Sequence, residues 1–488
     1  MLIDEINKDY QYCFKRVYMK RKYVNGVWPN YYEPNWQDIT DWLLEASDIT
    51  WNVDDVEVND FTQGDFTLTM VNRLQEFAPE TYSGSKFSGF LSRHKTKVKI
   101  TAGYIDSVTG VEYPYDIGAG LVDGTEINAE SDSTITIPCV SPTMMFEEQS
   151  AEDVNDGILG GGNATATVAD QLIDTAATFD KYYNGLEVHN VTTGEKTKVT
   201  GYVNGTTLRV QNNIFTAGDT YNFGQTRWYR GKTIFELVVY IYSLTKRGGS
   251  VFGGILEGTQ TAPGNNITVD IADFTGMTCK DALDKLAEIS NSVWFVDPSF
   301  FLRFLSRAPI GASVFEFTNQ GLNVNILGAS EYNDGIKKVI NRVEWKDSEP
   351  KIAIEEASWA PGDSSSSWKN GVQIYEIDNP FVTDNTLKTA IARDILGEFV
   401  LNKEEITLHT KFIPHLKLLD PLTVTYTGVP AKSPAYFWNV GLCNPGWWNK
   451  GYWTGRLGGI TIQDAGMKVI KINYNVMNFT CDFKMRRV

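Results

Sequence analysis

The sequence predicts a mainly β protein with a small α/β domain in its middle and a small β-module inserted ahead of that domain. Three observations predict it. Forty-two glycines punctuate the 488 residues, as tight turns between strands require. Runs rich in Thr, Val, Tyr and Phe alternate polar and apolar positions. Apolar residues at helical spacing are confined to short segments. A chain of this length outgrows a single core, and three or four domains are expected.

Residues 1–146 read as strands: YCFKRVYMKRKYV, ITWNVDDVEV, DFTLTMVNRL, TKVKITAGYI and STITIPCVS, separated by glycine and Asp/Asn/Ser turns. Such a series predicts a barrel or a sandwich. Within it, WQDITDWLLEAS (36–47) reads as a short helix. An acidic linker, EEQSAEDVNDG, opens the segment 147–228, and a compact β-module follows at 158–226 with turns at Thr193-Gly194 and Asn204-Gly205.

The α/β domain is placed at 229–307. KTIFELVVYIYSLTK spaces Ile234, Leu237, Val238 and Ile241 as an amphipathic helix. CKDALDKLAEISNS puts Leu283, Leu286, Ala287 and Ile289 on one stripe and Asp281, Lys285 and Glu288 outside it. SVWFVDPSFFLRFLSR reads as a hairpin turning at Asp297-Pro298-Ser299. The last region, 308–488, returns to strands around one helix, TDNTLKTAIARDILGEFVLN, with Thr383 or Asp384 as N-cap and Leu387, Ile391 and Ile395 inward. No sequence repeat is strong enough to count.

The residues with chemical potential are few. A formal net charge of −16 argues against phosphate binding, which needs clustered Lys and Arg. Cys13, Cys139, Cys279, Cys443 and Cys481 are far apart and form no CxxC pair, which argues against a disulfide framework and a zinc site. His94, His189, His409 and His415 have no partners at metal spacing. The Asp-rich NVDDVEVNDFTQGD lacks the calcium-loop spacing. GxGxxG and GxxxxGK[ST] are absent. The reading is a non-enzyme without cofactor. The N-terminal stretch has no signal-peptide core and no apolar run reaches a membrane span, so a soluble protein made in a cytoplasm is expected.

One stretch stands apart. AYFWNVGLCNPGWWNKGYWTGRLGG (435–459) gathers Trp438, Trp447, Trp448 and Trp453 with Tyr436 and Tyr452. It follows neither the helix nor the strand period. Trp447, Trp448, Tyr452 and Trp453 are the candidate contact residues, either for a subunit interface or for host glycan, since buried rings weld loops and dominate interface hot spots.

The order of several motifs carries a resemblance. DFTLTMVNR, with Leu68 to Asn72, precedes FSGFLSRHKTKVKITAGY, whose strand from Lys97 leads to a Gly-Tyr turn at Tyr104. The helix and hydrophobic hairpin CKDALDKLAEISNSVWFVDPSFFLRF follow, then Asn341 to Val343 of KKVINRVEW, then PHLKLLDPLTVTY with Leu416, Leu418 and Asp420, then the closing KVIKINYNVMNFTCDFKMR. In this order they resemble the baseplate hub, or tail hub, proteins of tailed bacteriophages, over most of 50–146 and 229–488. The 158–226 module departs from the minimal hub, and no lysozyme or peptidase domain of the kind some hubs carry is read.

The resemblance implies two tube-like β-barrel domains, 1–146 and 308–488, and a homotrimeric ring that continues a sixfold tail tube. Its implied partners are the distal tail or tail tube protein, the tape measure protein, and central spike or tail fibre proteins. DNA would meet it only in passage, without membrane insertion by this chain, at the tail tip of a virion assembled in the host cytoplasm. The alternative is a receptor-binding tail-tip protein that grips host glycan through the aromatic stretch.

Overall fold

The computed structural model describes residues 12–23, 31–32, 35–54, 60–73, 77, 87, 93–94, 96–124, 126–127, 134–151, 161–179, 183, 187–223, 228–245, 255–308, 311–320, 324–333, 340–346, 352–355, 371–399, 404–427 and 461–488. The fold is mainly β, as expected.

Two curled sheets dominate, one from each end of the chain. The first contains β1 (Cys13–Tyr23), β2 (Leu43–Ala46), β3 (Phe66–Val71), β4 (Thr96–Ile105), β5 (Glu112–Val122) and β6 (Thr134–Val140), in the spatial order β1-β4-β5-β6-β3-β2. The second contains β7 (Phe315–Thr318), β8 (Ile326–Asn333), β9 (Glu405–Lys411), β10 (Pro421–Thr427), β11 (Thr461–Asn475) and β12 (Thr480–Arg487), in the order β7-β10-β11-β12-β9-β8. Counted from its own first strand, the second order is the same as the first. One pairing differs in direction: β1 runs antiparallel to β4, whereas β7 runs parallel to β10. The duplication lies in topology and not in any similarity of sequence.

Alternation explains the strands. Phe66, Leu68 and Met70 of β3, Ile135, Ile137 and Cys139 of β6, and Cys481, Phe483 and Met485 of β12 turn inward, with Thr67, Thr69, Thr136, Pro138, Asp482 and Lys484 between them in the chain. Polar side chains fasten the sheet ends. The Val17 amide donates to Thr40 Oγ1 at 2.9 Å beside the Ile39 amide on the Val17 carbonyl. In the second sheet the Thr318 amide donates to Asn325 Oδ1 at 3.0 Å, and Asn325 Nδ2 donates to the Glu316 carbonyl at 2.9 Å.

The helix expected at 36–47 is not there. Gln37–Asp38 is extended, Thr40–Trp42 forms a single 3-10 turn, and Leu43–Ala46 is β2. Asp38 Oδ1 accepts from the Thr40 amide at 2.9 Å, and β2 pairs with β3. The ladder on offer from β3 outweighs a helical propensity spread over little more than three turns.

A hairpin, Ile49–Asp54 with Asp60–Gln63, leaves the first sheet and joins the second by pairing with β11, Asn52 opposite Lys471 and Trp51 opposite Ile472. The two sheets share one continuous core that includes Val17, Trp51, Val98, Phe317, Ile472 and Phe483.

Between the sheets in sequence stands the module. Its strand order begins with Gly161–Asn163 and ends with Ala166–Val168, consecutive in the chain. The Ala164 amide bonds the Asp219 carbonyl and the Thr165 amide bonds the Ile173 carbonyl, so the sheet closes on itself. Gly194 has a φ of +79° at the first turn the sequence marks, and Gly205 lies in the second. Leu172, Phe179, Val188, Leu208, Tyr221 and Phe223 belong to a core of the module's own. Entry and exit are adjacent, Gly161 paired with Asn222. Deleting 161–223 behind a short glycine linker is expected to leave the remainder folded, with its melting temperature within a few degrees of the full chain, because joining adjacent ends costs little closure entropy. Insoluble protein would contradict it.

The remaining elements form a second core. Helices α1 (Met144–Glu148), α2 (Ile234–Leu244), α3 (Cys279–Ile289) and α4 (Asn385–Phe399) belong here. Capping boxes start two of them: Thr233 with Glu236, and Thr278 with Asp281. Asp384, one of the two expected caps, accepts from the Leu387 amide at 2.8 Å. Helix α3 lies against the Ser292–Val296 and Phe301–Ser306 hairpin, with Leu283, Leu286 and Ile289 buried. Glu288 departs from its expected outward place. It is 7% exposed, bonds Asn379 and Tyr375, and burial raises its pKa. Replacing Leu286 by alanine is expected to cost about 2–5 kcal/mol, read as a lowered urea midpoint; an unchanged midpoint would contradict its burial.

Candidate functional site

A cleft of about 440 Å³ opens where the first sheet, the 297–303 turn and residues 414–420 meet. Asp116, Asp297, Ser299, Arg303, His415 and Asp420 are among its walls. Its carboxylates are engaged. Asp116 Oδ1 accepts from Thr101 Oγ1 at 2.8 Å and faces Lys99 Nζ at 3.3 Å, while Oδ2 accepts from Ser299 Oγ at 3.1 Å. Asp297 Oδ1 accepts from the amides of Ser299 and Phe301, and Oδ2 from Arg303 Nε at 2.6 Å. These bonds hold Phe300 at a φ of +62°. Asp420, raised in pKa by burial, takes the Lys417 amide at 2.8 Å and ends the Leu-x-Leu-x-Asp turn into β10. Carboxylates used this way fasten loops.

Beside the cleft, lysines meet aromatic rings. Lys97 Nζ is buried 2.7 Å from Glu257 Oε1 and 5.0 Å from the centre of the Phe300 ring, and burial lowers its pKa to about 8. Lys20 and Lys99 lie over Trp36 at 5.5 and 5.0 Å. The first sheet is thus joined to the α/β region by charged and aromatic groups as well as by apolar packing.

The histidines do not converge. His94 meets Asp123 at 2.8 Å, His189 meets Glu187 at 2.5 Å and His409 meets Asp482 at 2.7 Å. His415 packs near Tyr115 and Phe315, and its Nδ1 is buried without a hydrogen bond among the described residues. Burial lowers its pKa from 6.5 to about 4. Between those values the unfolded chain binds the extra proton, so stability rises with pH. As pH falls through this window, His415 is expected to remove up to about 3 kcal/mol. Urea titrations at pH 7 and pH 4.5 check this, and His415→Phe should flatten the difference.

Other sequence candidates resolve as structure. Among the described residues no group of three or more His, Cys, Asp or Glu is arranged to hold a metal ion. Asp54 and Asp60 face each other across the hairpin ladder, and Asp65 accepts from the Ser141 amide. Burial raises the thiol pKa of Cys13 and Cys279 to about 12 and that of Cys139 and Cys481 further. Among the described residues no helix is long and apolar enough to cross a membrane. Trp447, Trp448, Tyr452 and Trp453 lie outside the described residues, as does Cys443. The strands on either side of that stretch pair at its two ends, Thr427 with Thr461.

The sheet edges carry a feature that the sequence reading missed. β2 and β8 are the last strands of their sheets. Each has a bulge at its second residue: the pairing of β2 with β3 skips Leu44, and that of β8 with β9 skips Leu327. Both leucines are exposed, 46% and 54%. The only trace in sequence is Leu43-Leu44-Glu45-Ala46 beside Ile326-Leu327-Gly328-Ala329, too short to mark a repeat.

No protein-family model matches the chain, and no curated protein does. Solved structures with a similar course of the chain include the tail protein from Neisseria meningitidis MC58, 9% identical, covering 97% of this chain and 96% of that one with a TM-score of 0.46. The prophage MuSo2 43 kDa tail protein from Shewanella oneidensis is 12% identical, covering 97% and 98%, TM-score 0.43. Prophage tail protein gp18 from Listeria monocytogenes EGD-e is 10% identical, covering 96% and 94%, TM-score 0.41.

Proposed function

We propose that this chain is a structural hub of a phage tail tip, three copies of which form a ring that joins the tail tube to the tip and leaves a passage for DNA. The observation that carries the reading is the duplication. One chain holds two sheets of the same strand order on one core, so three chains present six repeats to a sixfold tube. A closed ring also deals with exposed sheet edges. The ordered motifs of the sequence support the same reading, and the net charge of −16 suits a wall past which phosphate slides without sticking.

In this reading the partners are the distal tail or tail tube protein, the tape measure protein, and spike or fibre proteins. The chain's role is assembly, without catalysis. Mass photometry of the purified chain and electron microscopy of particles test it. Three copies per particle around a central channel are expected; six copies or a single copy would overturn it.

A further inference from the structure

We infer that Leu44 and Leu327 are a duplicated docking knob, through which the trimer engages a six-copy ring stacked on it along the ring axis. The inference rests on the trimeric reading above. Its own evidence is geometric: two leucines, on equivalent bulges, on the equivalent end strands of two sheets with one topology. Bulges re-aim side chains at sheet edges, and here both skipped residues are apolar and exposed.

Their exposure excludes a contact that runs around the ring. In a ring of alternating repeats, a contact running around the ring recurs at every repeat-to-repeat boundary, and one such boundary lies inside each chain. A knob serving that contact would be covered in one of the two repeats. Neither Leu44 nor Leu327 is covered. Of the directions left, the axial one gives a trimer six equivalent knobs, and the fitting partner is a ring that repeats one socket six times.

Charge describes the socket further. Exposed Asp41, Glu45 and Asp48 surround Leu44 in the chain, and exposed Glu331 follows Leu327 in β8. The complementary surface is an apolar socket rimmed by Lys or Arg. A flat apolar patch would leave these carboxylates desolvated and unpaired.

The test places the photo-cross-linking residue p-benzoylphenylalanine at position 44 or at position 327 of the full chain within assembled particles. After irradiation, both positions are expected to reach the same segment of one polypeptide other than this chain. Cross-links to two different proteins, to this chain, or to none would overturn the proposal. In parallel, Leu44→Asp with Leu327→Asp should leave the trimer intact by mass photometry and lower the yield of assembled particles at least tenfold, while Leu44→Met with Leu327→Met keeps it. Normal yield from the aspartate pair overturns the knob. A wild-type chain that is not trimeric overturns the ring reading separately, whatever the cross-links show.

Discussion

Trp51→Ala is expected to lower stability more than any other single truncation in the hairpin. Trp51 is 3% exposed, stands opposite Ile472 of β11, and donates Nε1 to the Ile117 carbonyl of β5 at 2.9 Å. One side chain thus fills the core between both sheets and bonds the backbone of the first. Emptying its site costs about 3–5 kcal/mol, and the orphaned carbonyl adds about 1–3 kcal/mol. Trp51→Phe keeps much of the volume and loses the bond, so about 1–3 kcal/mol is expected from it. Urea unfolding followed by fluorescence checks both. One transition moved to lower urea is expected. Two separate transitions would show that the sheets unfold independently and that the shared core does not couple them.

The second large effect is at Arg486. Its Nε donates to Glu405 Oε1 at 3.0 Å, and both side chains are almost wholly buried. Lys484 approaches the other Glu405 oxygen at 3.0 Å. Arg486→Ala would take the buried guanidinium away from a buried carboxylate, at an expected cost of about 3–5 kcal/mol. The double variant Glu405→Leu with Arg486→Met should recover most of the loss, because an apolar pair of similar volume avoids desolvating two charges. A single variant as stable as the parent would show that water reaches this end of β9 and β12.

These two residues show where sequence reasoning reaches and where it stops. Helices α2 and α3 were legible because apolar stripes are local: Ile234, Leu237 and Val238, or Leu283 and Leu286, act within a turn or so of one another. The strands of the closing hairpin were legible by alternation. The 36–47 segment was misread because its partner strand lies more than twenty residues away. Glu288 was misread because its partners, Tyr375 and Asn379, come from a region not known in advance to fold back on α3. The hairpin's move to the second sheet, the common strand order and the bulged leucines are relations between distant segments, and residue spacing does not encode them. Of the candidate site, the Leu416, Leu418 and Asp420 turn was visible as a motif, but the cleft it borders was not.

The pairing of the Ile49–Asp54 hairpin with β11 sets a schedule for synthesis. Thr50 Oγ1 donates to Asn473 Oδ1 across 423 residues of chain. At about 5–20 residues per second, the hairpin leaves the ribosome roughly 20 to 80 seconds before its partner strand exists. Throughout that interval an unpaired ladder and the indole of Trp51 stand open to other nascent chains. Such long-range closure is slow and prone to aggregation, so the yield of soluble protein should depend on translation rate and on chaperones that hold β-strands, even though the finished fold is stitched at both ends.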